Sequence, residues 1–144
     1  MLRDILRSKG DSVCTCSPGN TLEDVIRELV QRNIGSLIVV EGESMVGIIT
    51  ERDILRATAR YASAAGAVTV AECMTSAPVT AAPDAAIEDV MGLMTARRIR
   101  HLPVMEDGRL VGIVSIGDIV KAQHDALSQE NHYLKTYLYE SAPA

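Results

Sequence analysis

Apolar residues recur at helical spacing in two segments of the chain that lie 65 residues apart. The apolar positions are Leu22, Val25, Ile26, Leu29 and Val30 in the first segment and Ile87, Val90, Met91 and Met94 in the second. Spacings of three and four residues place these side chains on one face of a helix. A turn at Pro18 or Pro83 precedes each segment. The pattern therefore predicts two amphipathic helices, each beginning just after a turn.

Two short apolar strands are predicted after each of these helices. They are Leu37–Val40 and Met45–Ile49 in the first half, and Leu102–Met105 and Leu110–Val114 in the second. Polar turns separate the strands of each pair, and the Asp107-Gly108 dipeptide is a strong hairpin signal. A further helix is predicted to begin where the second strand ends, at Thr50 or Ser115. Each half is therefore predicted to form a helix, a hairpin and a helix.

The two halves are copies of one unit. Residues 15–55 align with residues 80–120 without a gap, and 15 of these 41 positions are identical. Such self-similarity indicates a tandem duplication. One copy has too little apolar surface to close a core alone, so we expect the copies to pack face to face. The sequence is divided into a first repeat with its N-terminal flank (1–66), a second repeat (67–125), and a C-terminal helix and tail (126–144).

Composition and charge exclude several classes of function. The net charge of −5 argues against a broad electrostatic interaction with nucleic acid, and four Tyr without Phe or Trp argue against base-stacking surfaces. No apolar run approaches the roughly 20 residues that cross a bilayer, and the N-terminus lacks a secretory signal. The odd count of three cysteines suits a reducing compartment. We expect a cytoplasmic protein.

A hydroxyl residue and an acid stand three residues apart at the start of a predicted helix in both copies, as Thr50 with Asp53 and Ser115 with Asp118. Helix capping alone explains this spacing. The same geometry also suits a nucleotide, because the free N–H groups of a helix N-terminus bind phosphate. An ionised carboxylate can accept hydrogen bonds from both hydroxyls of a ribose. Both readings remain open at this point.

These motifs resemble those of a CBS-domain pair, also called a Bateman module. The resemblance is carried by Ile99–Val104, by Leu110–Asp118 and, in the first copy, by Met45–Asp53. It implies an α/β (α+β) fold in which tandem repeats form a pseudo-twofold β/α sandwich, here followed by a C-terminal helical extension. It also implies two clefts, which in many members bind AMP, ADP, ATP, NAD or S-adenosylmethionine.

The resemblance further implies that each cleft combines residues of both copies. The predicted nucleotide-binding residues are Ser115 and Asp118 with Thr15, Ile34 and Gly35 in one cleft, and Thr50 and Asp53 with Thr80 and Ile99 in the other. Ile48 and Ile113, with Ile34 and Ile99, are candidate walls for adenine, although core packing is the favoured explanation for each of them taken singly. Arg100 and His101 are assigned to the lip of the Asp118 cleft as phosphate ligands, which makes it the favoured nucleotide site. A solvated basic surface is the alternative.

No catalytic motif appears in the sequence: there is no phosphate-binding loop, no dinucleotide fingerprint and no zinc-protease or serine-hydrolase signature. We therefore predict no enzyme, no catalytic or metal-binding residues and no required cofactor. Cys14 and Cys16 would lie on one face of an extended segment. They leave a thiol-based redox or metal sensor as an alternative, beside the simpler reading of small buried apolar residues.

The last helix is predicted to extend past the repeat, from about Ile116 to Tyr139. Val120, Leu127 and Leu134 recur every seven residues along it, and Tyr133, Tyr137 and Tyr139 cluster near its end. This spacing favours packing against a second subunit. The predicted function is a non-catalytic regulatory module that forms a homodimer, binds an adenosine nucleotide and signals to an unidentified protein partner. A dimerisation scaffold with vestigial clefts is the alternative.

Overall fold

Each copy folds as the predicted helix, hairpin and helix in the computed structural model, which describes residues 1–10 and 12–141, with side chains described as far as residue 138. The elements, in chain order, are α1 (Leu2–Lys9), β1 (Thr15–Cys16), α2 (Leu22–Arg32), β2 (Ser36–Glu41), β3 (Ser44–Thr50), α3 (Glu51–Tyr61), a 3₁₀ helix (Ala62–Ala67), α4 (Val70–Cys73), β4 (Thr75–Ser76), α5 (Ile87–Arg97), β5 (His101–Glu106), β6 (Arg109–Ser115) and α6 (Ile116–Ser141). The mixed α/β fold with a long C-terminal helix is confirmed.

Each copy contributes its hairpin to a separate sheet. The first has the order β1–β2–β3–β4, with β1 parallel to β2 and the other pairs antiparallel. The second sheet is the β5–β6 hairpin, which Ala81 extends by a parallel bridge to Val104. The two hairpins keep the same register, because Val39 pairs with Gly47 and Val104 pairs with Gly112. The copies are therefore alike in backbone as well as in sequence.

Each copy is completed by a helix that precedes the other copy in the sequence. Leu2 and Ile5 of α1 are buried with the second-repeat residues Leu102, Val104 and Val114. Val70 of α4 is buried in the first-repeat core, which contains Leu22, Val25, Leu37 and Ile49. Because the helices cross over in this way, the two copies are joined at both ends of the repeat.

Two glycines at corresponding positions allow close approach to a sheet strand, by helix α1 at Gly112 and by strand β4 at Gly47. A Cβ atom added to Gly112 in β6 would lie 2.5 Å from Cδ2 of Leu6 in α1. A Cβ atom added to Gly47 in β3 would lie 2.7 Å from the carbonyl oxygen of Thr75 in β4. These distances are shorter than van der Waals contact, so a side chain at either position would require the neighbouring atoms to shift. The neighbouring atom is the end of a side chain at Gly112 and backbone at Gly47.

The helix starts differ between the copies. Thr21 and Asp24 form a capping box at the start of α2, whereas α5 begins after Ala86 and has no side-chain cap. The final helix α6 leaves the body of the protein, and its side chains from His124 to residue 138 are exposed. Within the described residues, no helix combines the length and apolar character needed to cross a membrane.

Candidate functional site

A cavity of about 570 Å³ lies where the first-repeat acid meets the second repeat. The first repeat contributes the end of β3 and the first turns of α3, and the second repeat contributes the residues from Arg97 to His101. The segment that follows β4 closes a third side with Ala77, Pro78 and Val79. Its size falls within the range of pockets that bind small molecules. The cavity therefore joins the two copies around one space.

Asp53 is the buried acid of this cavity, and only 6% of its surface is exposed. Its Oδ2 accepts hydrogen bonds from the Thr50 N–H at 2.9 Å and the Thr50 hydroxyl at 3.2 Å. Its Oδ1 accepts a hydrogen bond from the Thr75 hydroxyl at 3.1 Å. The Asp53 N–H donates to Thr50 Oγ1 at 3.4 Å, which completes the capping box of α3.

The bonds to Asp53 leave it able to bind a ligand. A carboxylate offers about four acceptor positions, and two of the three hydrogen bonds that Asp53 accepts come from threonine hydroxyls, which can rotate. None of these donors carries a positive charge. A pair of neighbouring hydroxyls on a ligand could therefore donate to Asp53 without displacing a cation from it.

The rim of the cavity is strongly basic. Five guanidinium groups line it, against the two carboxylates of Glu51 and Asp53; the arginines are Arg52, Arg56, Arg97, Arg98 and Arg100. Arg52 is held across the boundary between the copies, because its Nη1 donates to the carbonyl oxygen of Arg98 at 2.7 Å. Planar guanidinium groups bind phosphate through paired hydrogen bonds. The cavity therefore suits an anionic ligand.

His101 lines the same cavity as a largely neutral side chain. Burial lowers its pKa below the ordinary value, and the charges of Arg100 and Lys9 lower it further, against the opposing effects of Glu51 and Asp118. A Cβ atom on Gly35 would lie 2.9 Å from His101 Nε2, so the glycine provides the space for the imidazole. His101 can therefore offer a hydrogen bond to a ligand near pH 7 without a full charge.

Asp118, the second-repeat acid, lies in a different environment. Its Oδ2 accepts hydrogen bonds from the Ser115 N–H at 2.8 Å and from Lys9 Nζ at 2.6 Å. Burial raises the pKa of Asp118, but the hydrogen bonds from Lys9 and Ser115 and the positive charge of Lys9 together outweigh burial, so its pKa lies below the ordinary value. Asp118 is not among the residues that line the cavity beside Asp53.

The structure distributes the sequence-predicted residues over several places. Those that line the cavity beside Asp53 are Ile48, Thr50, Ile99, Arg100, His101 and Ser115. Those outside it include Thr80, which is exposed, and Ile34 and Ile113, which are half-buried. Thr15 lines a second, more open cavity of about 830 Å³ beside α2. Arg100 and His101, which the sequence assigned to the Asp118 cleft, thus lie beside Asp53.

Sequence reasoning missed several residues that bear on the site, among them Thr75, Arg56 and Lys9. Thr75 and Arg56 line the cavity. Arg56 lies three residues after Asp53, and this helical spacing was a signal available in the sequence. Thr75 and Lys9 reach the two acids from other elements, so no local spacing indicates their contacts.

The cysteines lie outside the cavity beside Asp53. Cys14 and Cys16 line the second cavity, and burial raises the pKa of Cys16 to about 11. A thiol with such a pKa is almost entirely protonated at pH 7, which disfavours nucleophilic and metal-binding chemistry. In the part of the chain that the structure describes, no three His, Cys, Asp or Glu side chains come together as a possible metal site.

Comparison with known proteins agrees with the duplicated fold. The CBS domain family matches residues 2–60 and 70–125. The chain is 35% identical over 146 residues to the mitochondrial CBS domain-containing protein CBSX3 of Arabidopsis thaliana, covering 95% of this chain and 71% of that protein. The crystal structure of the CBS-domain containing protein ATU1752 from Agrobacterium tumefaciens superposes with a TM-score of 0.83 at 36% identity, covering 85% of this chain and 98% of that one.

Two similar structures contain adenosine compounds. The CBS domain pair of protein MJ0100, in complex with 5-methylthioadenosine and S-adenosyl-L-methionine, has a TM-score of 0.76 and 30% identity, covering 88% of this chain and 97% of that one. CBSX2 in complex with AMP has a TM-score of 0.68 and 25% identity, covering 79% of this chain and 89% of that one. The family match, the identity and the superposition agree with the resemblance seen in the sequence: this chain belongs to the CBS-domain family, as a tandem pair of CBS domains.

Proposed function

We propose that this chain is a non-catalytic regulatory module that binds an adenosine nucleotide in the cavity beside Asp53. The observation that carries the proposal is a buried carboxylate at a helix N-terminus, which has no cationic partner among the residues that the structure describes and lies in a cavity with five arginines on its rim. The carboxylate suits a ribose diol and the arginines suit phosphate. This assignment differs from the sequence-based preference for the Asp118 cleft, because Lys9 already contacts Asp118.

The ligand class follows from charge. Adenosine is common to the compounds bound by the MJ0100 and CBSX2 structures, although one set includes a sulfonium and the other is a phosphate. S-adenosylmethionine carries a net positive charge, which five arginines would repel. AMP, ADP, ATP or NAD would instead place phosphate against this rim. We therefore assign a phosphate-bearing adenosine compound.

Each part of the cavity has a role in this proposal. Asp53 accepts hydrogen bonds from the ribose hydroxyls, with Thr50 and Thr75 holding its carboxylate in place. Ile48 and Ile99, with the nearby Pro78 and Val79, provide the apolar surface for adenine. Phosphate lies towards the arginines and His101.

Regulation follows from the position of the cavity between the copies. A ligand that contacts both repeats favours the arrangement in which both sets of contacts form, so its binding energy is coupled to the packing of the copies. The exposed apolar residues on α6, which include Val120, Leu127 and Leu134, favour packing against a second copy of the chain. We propose that occupancy is transmitted through this homodimer or to a protein partner.

The test compares Asp53→Asn with the matched control Asp24→Asn. Both acids complete a capping box at the start of a helix, but only Asp53 lines the proposed site. Isothermal titration with ATP, AMP and S-adenosylmethionine is expected to show binding of the phosphate compounds to the wild type. Loss of charged hydrogen bonds in Asp53→Asn should weaken that affinity about 10- to 100-fold, and Asp24→Asn should retain it.

Unchanged ATP affinity in Asp53→Asn would contradict the proposed site. Preference for S-adenosylmethionine over ATP would contradict the assigned ligand class. Thermal unfolding supplies an independent measurement, because a ligand at 100 times its dissociation constant stabilises the native state by about 2.7 kcal/mol.

A further inference from the structure

The second-repeat acid, Asp118, has a cationic partner that the first-repeat acid lacks. Lys9 Nζ donates to Asp118 Oδ2 at 2.6 Å and to the carbonyl oxygen of Ile113 at 3.0 Å. The ion pair is partly shielded from solvent, with 34% of the Lys9 side chain and 23% of the Asp118 side chain exposed. The lysine thus contacts both the acid in the first turn of α6 and the backbone near the end of the preceding strand, β6.

The packing of α1 explains why a lysine reaches this position. Leu6 packs against Gly112 of β6, and this close contact fixes the helix on the second repeat. Helix α1 has eight residues in all and ends at Lys9, which lies beside Asp118. Lys9, three residues after Leu6, thus lies next to the N-terminus of α6.

The corresponding segment before the second repeat has a different course. Helix α4 has only four residues, and the chain then forms β4, from which Thr75 donates its hydroxyl to Asp53. When the two flanks are aligned, Ala77 takes the place of Lys9. Ala77 lines the cavity beside Asp53, and its methyl side chain cannot form a hydrogen bond with Asp53. The two flanks thus give one acid a neutral hydroxyl partner and the other an ammonium partner.

We propose that the ammonium group of Lys9 occupies the position beside Asp118 where a sugar diol would otherwise bind. The chain then binds one nucleotide at Asp53 and excludes a second one from Asp118. Binding of a diol at Asp118 would require loss of a charge-assisted hydrogen bond as well as the bond to Ile113, which a neutral hydroxyl does not replace. The expectation of a first nucleotide at Asp53 rests on the proposed function; the exclusion at Asp118 does not.

Equilibrium dialysis of the full chain with ATP tests this proposal. We expect the wild type to bind one equivalent per chain and Lys9→Met to bind two, because methionine keeps the length and helix propensity of lysine but has no ammonium group. Arg7→Met is the matched control, since Arg7 is an exposed cation on the same helix and should leave one equivalent. Adding Asp118→Asn to Lys9→Met should remove the second equivalent.

Each outcome bears on the proposal. If Lys9→Met binds no more ATP than the wild type, or if the wild type already binds two equivalents, the role of Lys9 is overturned. If the wild type binds no ATP while Lys9→Met binds one equivalent that requires Asp118, the role of Lys9 is supported and the proposed function of the Asp53 cavity fails. Carboxyl NMR titration provides a ligand-free readout, because the pKa of Asp118 should rise in Lys9→Met.

Discussion

Replacing Gly47 with alanine is expected to destabilise the protein much more than the same replacement at Gly112, although the two glycines occupy corresponding positions. At Gly47 the new Cβ would lie 2.7 Å from the backbone oxygen of Thr75 and 3.0 Å from the sulfur of Met74. At Gly112 it would lie 2.5 Å from Cδ2 of Leu6. The obstacle is therefore backbone in one case and the end of a flexible side chain in the other.

The expected magnitudes follow from this difference. Overpacking costs about 1–3 kcal/mol, and replacing a glycine that has ordinary backbone angles regains about 0.4–1 kcal/mol by restricting the unfolded chain. Neither Gly47 nor Gly112 has a positive φ. Thr75 pairs with β3 and cannot move without loss of β4, so Gly47→Ala should cost about 2 kcal/mol net. Leu6 is only half-buried and can rotate, so Gly112→Ala should cost about 0.5 kcal/mol or less.

Urea unfolding followed by circular dichroism at pH 7 measures both free energies of unfolding. We expect the Gly47→Ala value to fall further than the Gly112→Ala value by well over 1 kcal/mol. ATP titration should also show weaker binding to Gly47→Ala, since displacement of β4 moves the Thr75 hydroxyl away from Asp53. Equal destabilisation of the two variants, or a larger loss for Gly112→Ala, would refute the distinction between a backbone obstacle and a side-chain obstacle.

Three further predictions concern other parts of the molecule. Ala86→Thr should stabilise the protein by about 1 kcal/mol in urea unfolding, because Asp89 already stands at the position that completes a capping box; no gain would show that α5 begins differently. Because the pKa of His101 is lowered in the folded state, acidification below about pH 6.5 protonates the unfolded chain first and reduces stability. His101→Gln should show a shallower loss over that pH range in thermal melts, and an identical pH profile would contradict this reasoning. Leu127→Glu combined with Leu134→Glu should convert the proposed dimer to a monomer in light scattering, whereas an unchanged mass would exclude α6 as the interface.

Local features of the fold could be predicted well from the sequence. The strand predicted at Leu37–Val40 extends in the structure by one residue at each end, to Ser36–Glu41. Its partner in the hairpin, predicted at Met45–Ile49, likewise extends to Ser44–Thr50. Alternating apolar positions and the turn between them are short-range signals, and the internal repeat provides each of them twice. The capping acids were found for the same reason, because a capping box is complete within four residues.

Contacts between distant segments could not be predicted in this way. The matching flanks indicated that α1 and α4 are equivalent, but no spacing shows that α1 packs on the second repeat and α4 on the first. The partners of the two acids depend on this exchange. Lys9 is separated from Asp118 by 109 residues, and Thr75 from Asp53 by 22. Assigning Arg100 and His101 to one of the clefts likewise required knowledge of how the two copies pack against each other.

The proposed difference in function between the two acids arises outside the short capping motif that contains each of them. Asp53 and Asp118 each accept a hydrogen bond from the backbone N–H three residues earlier, at 2.9 and 2.8 Å, so their local geometry is the same. What differs is the group supplied by the preceding flank: a neutral hydroxyl from Thr75 or an ammonium from Lys9. A hydroxyl can rotate to admit a further donor, whereas the ammonium holds an ion pair. If the proposed roles of Asp53 and Lys9 hold, one substitution in a flank is expected to change the number of ligands bound, because the helix caps and the hydrophobic cores of both repeats do not depend on it.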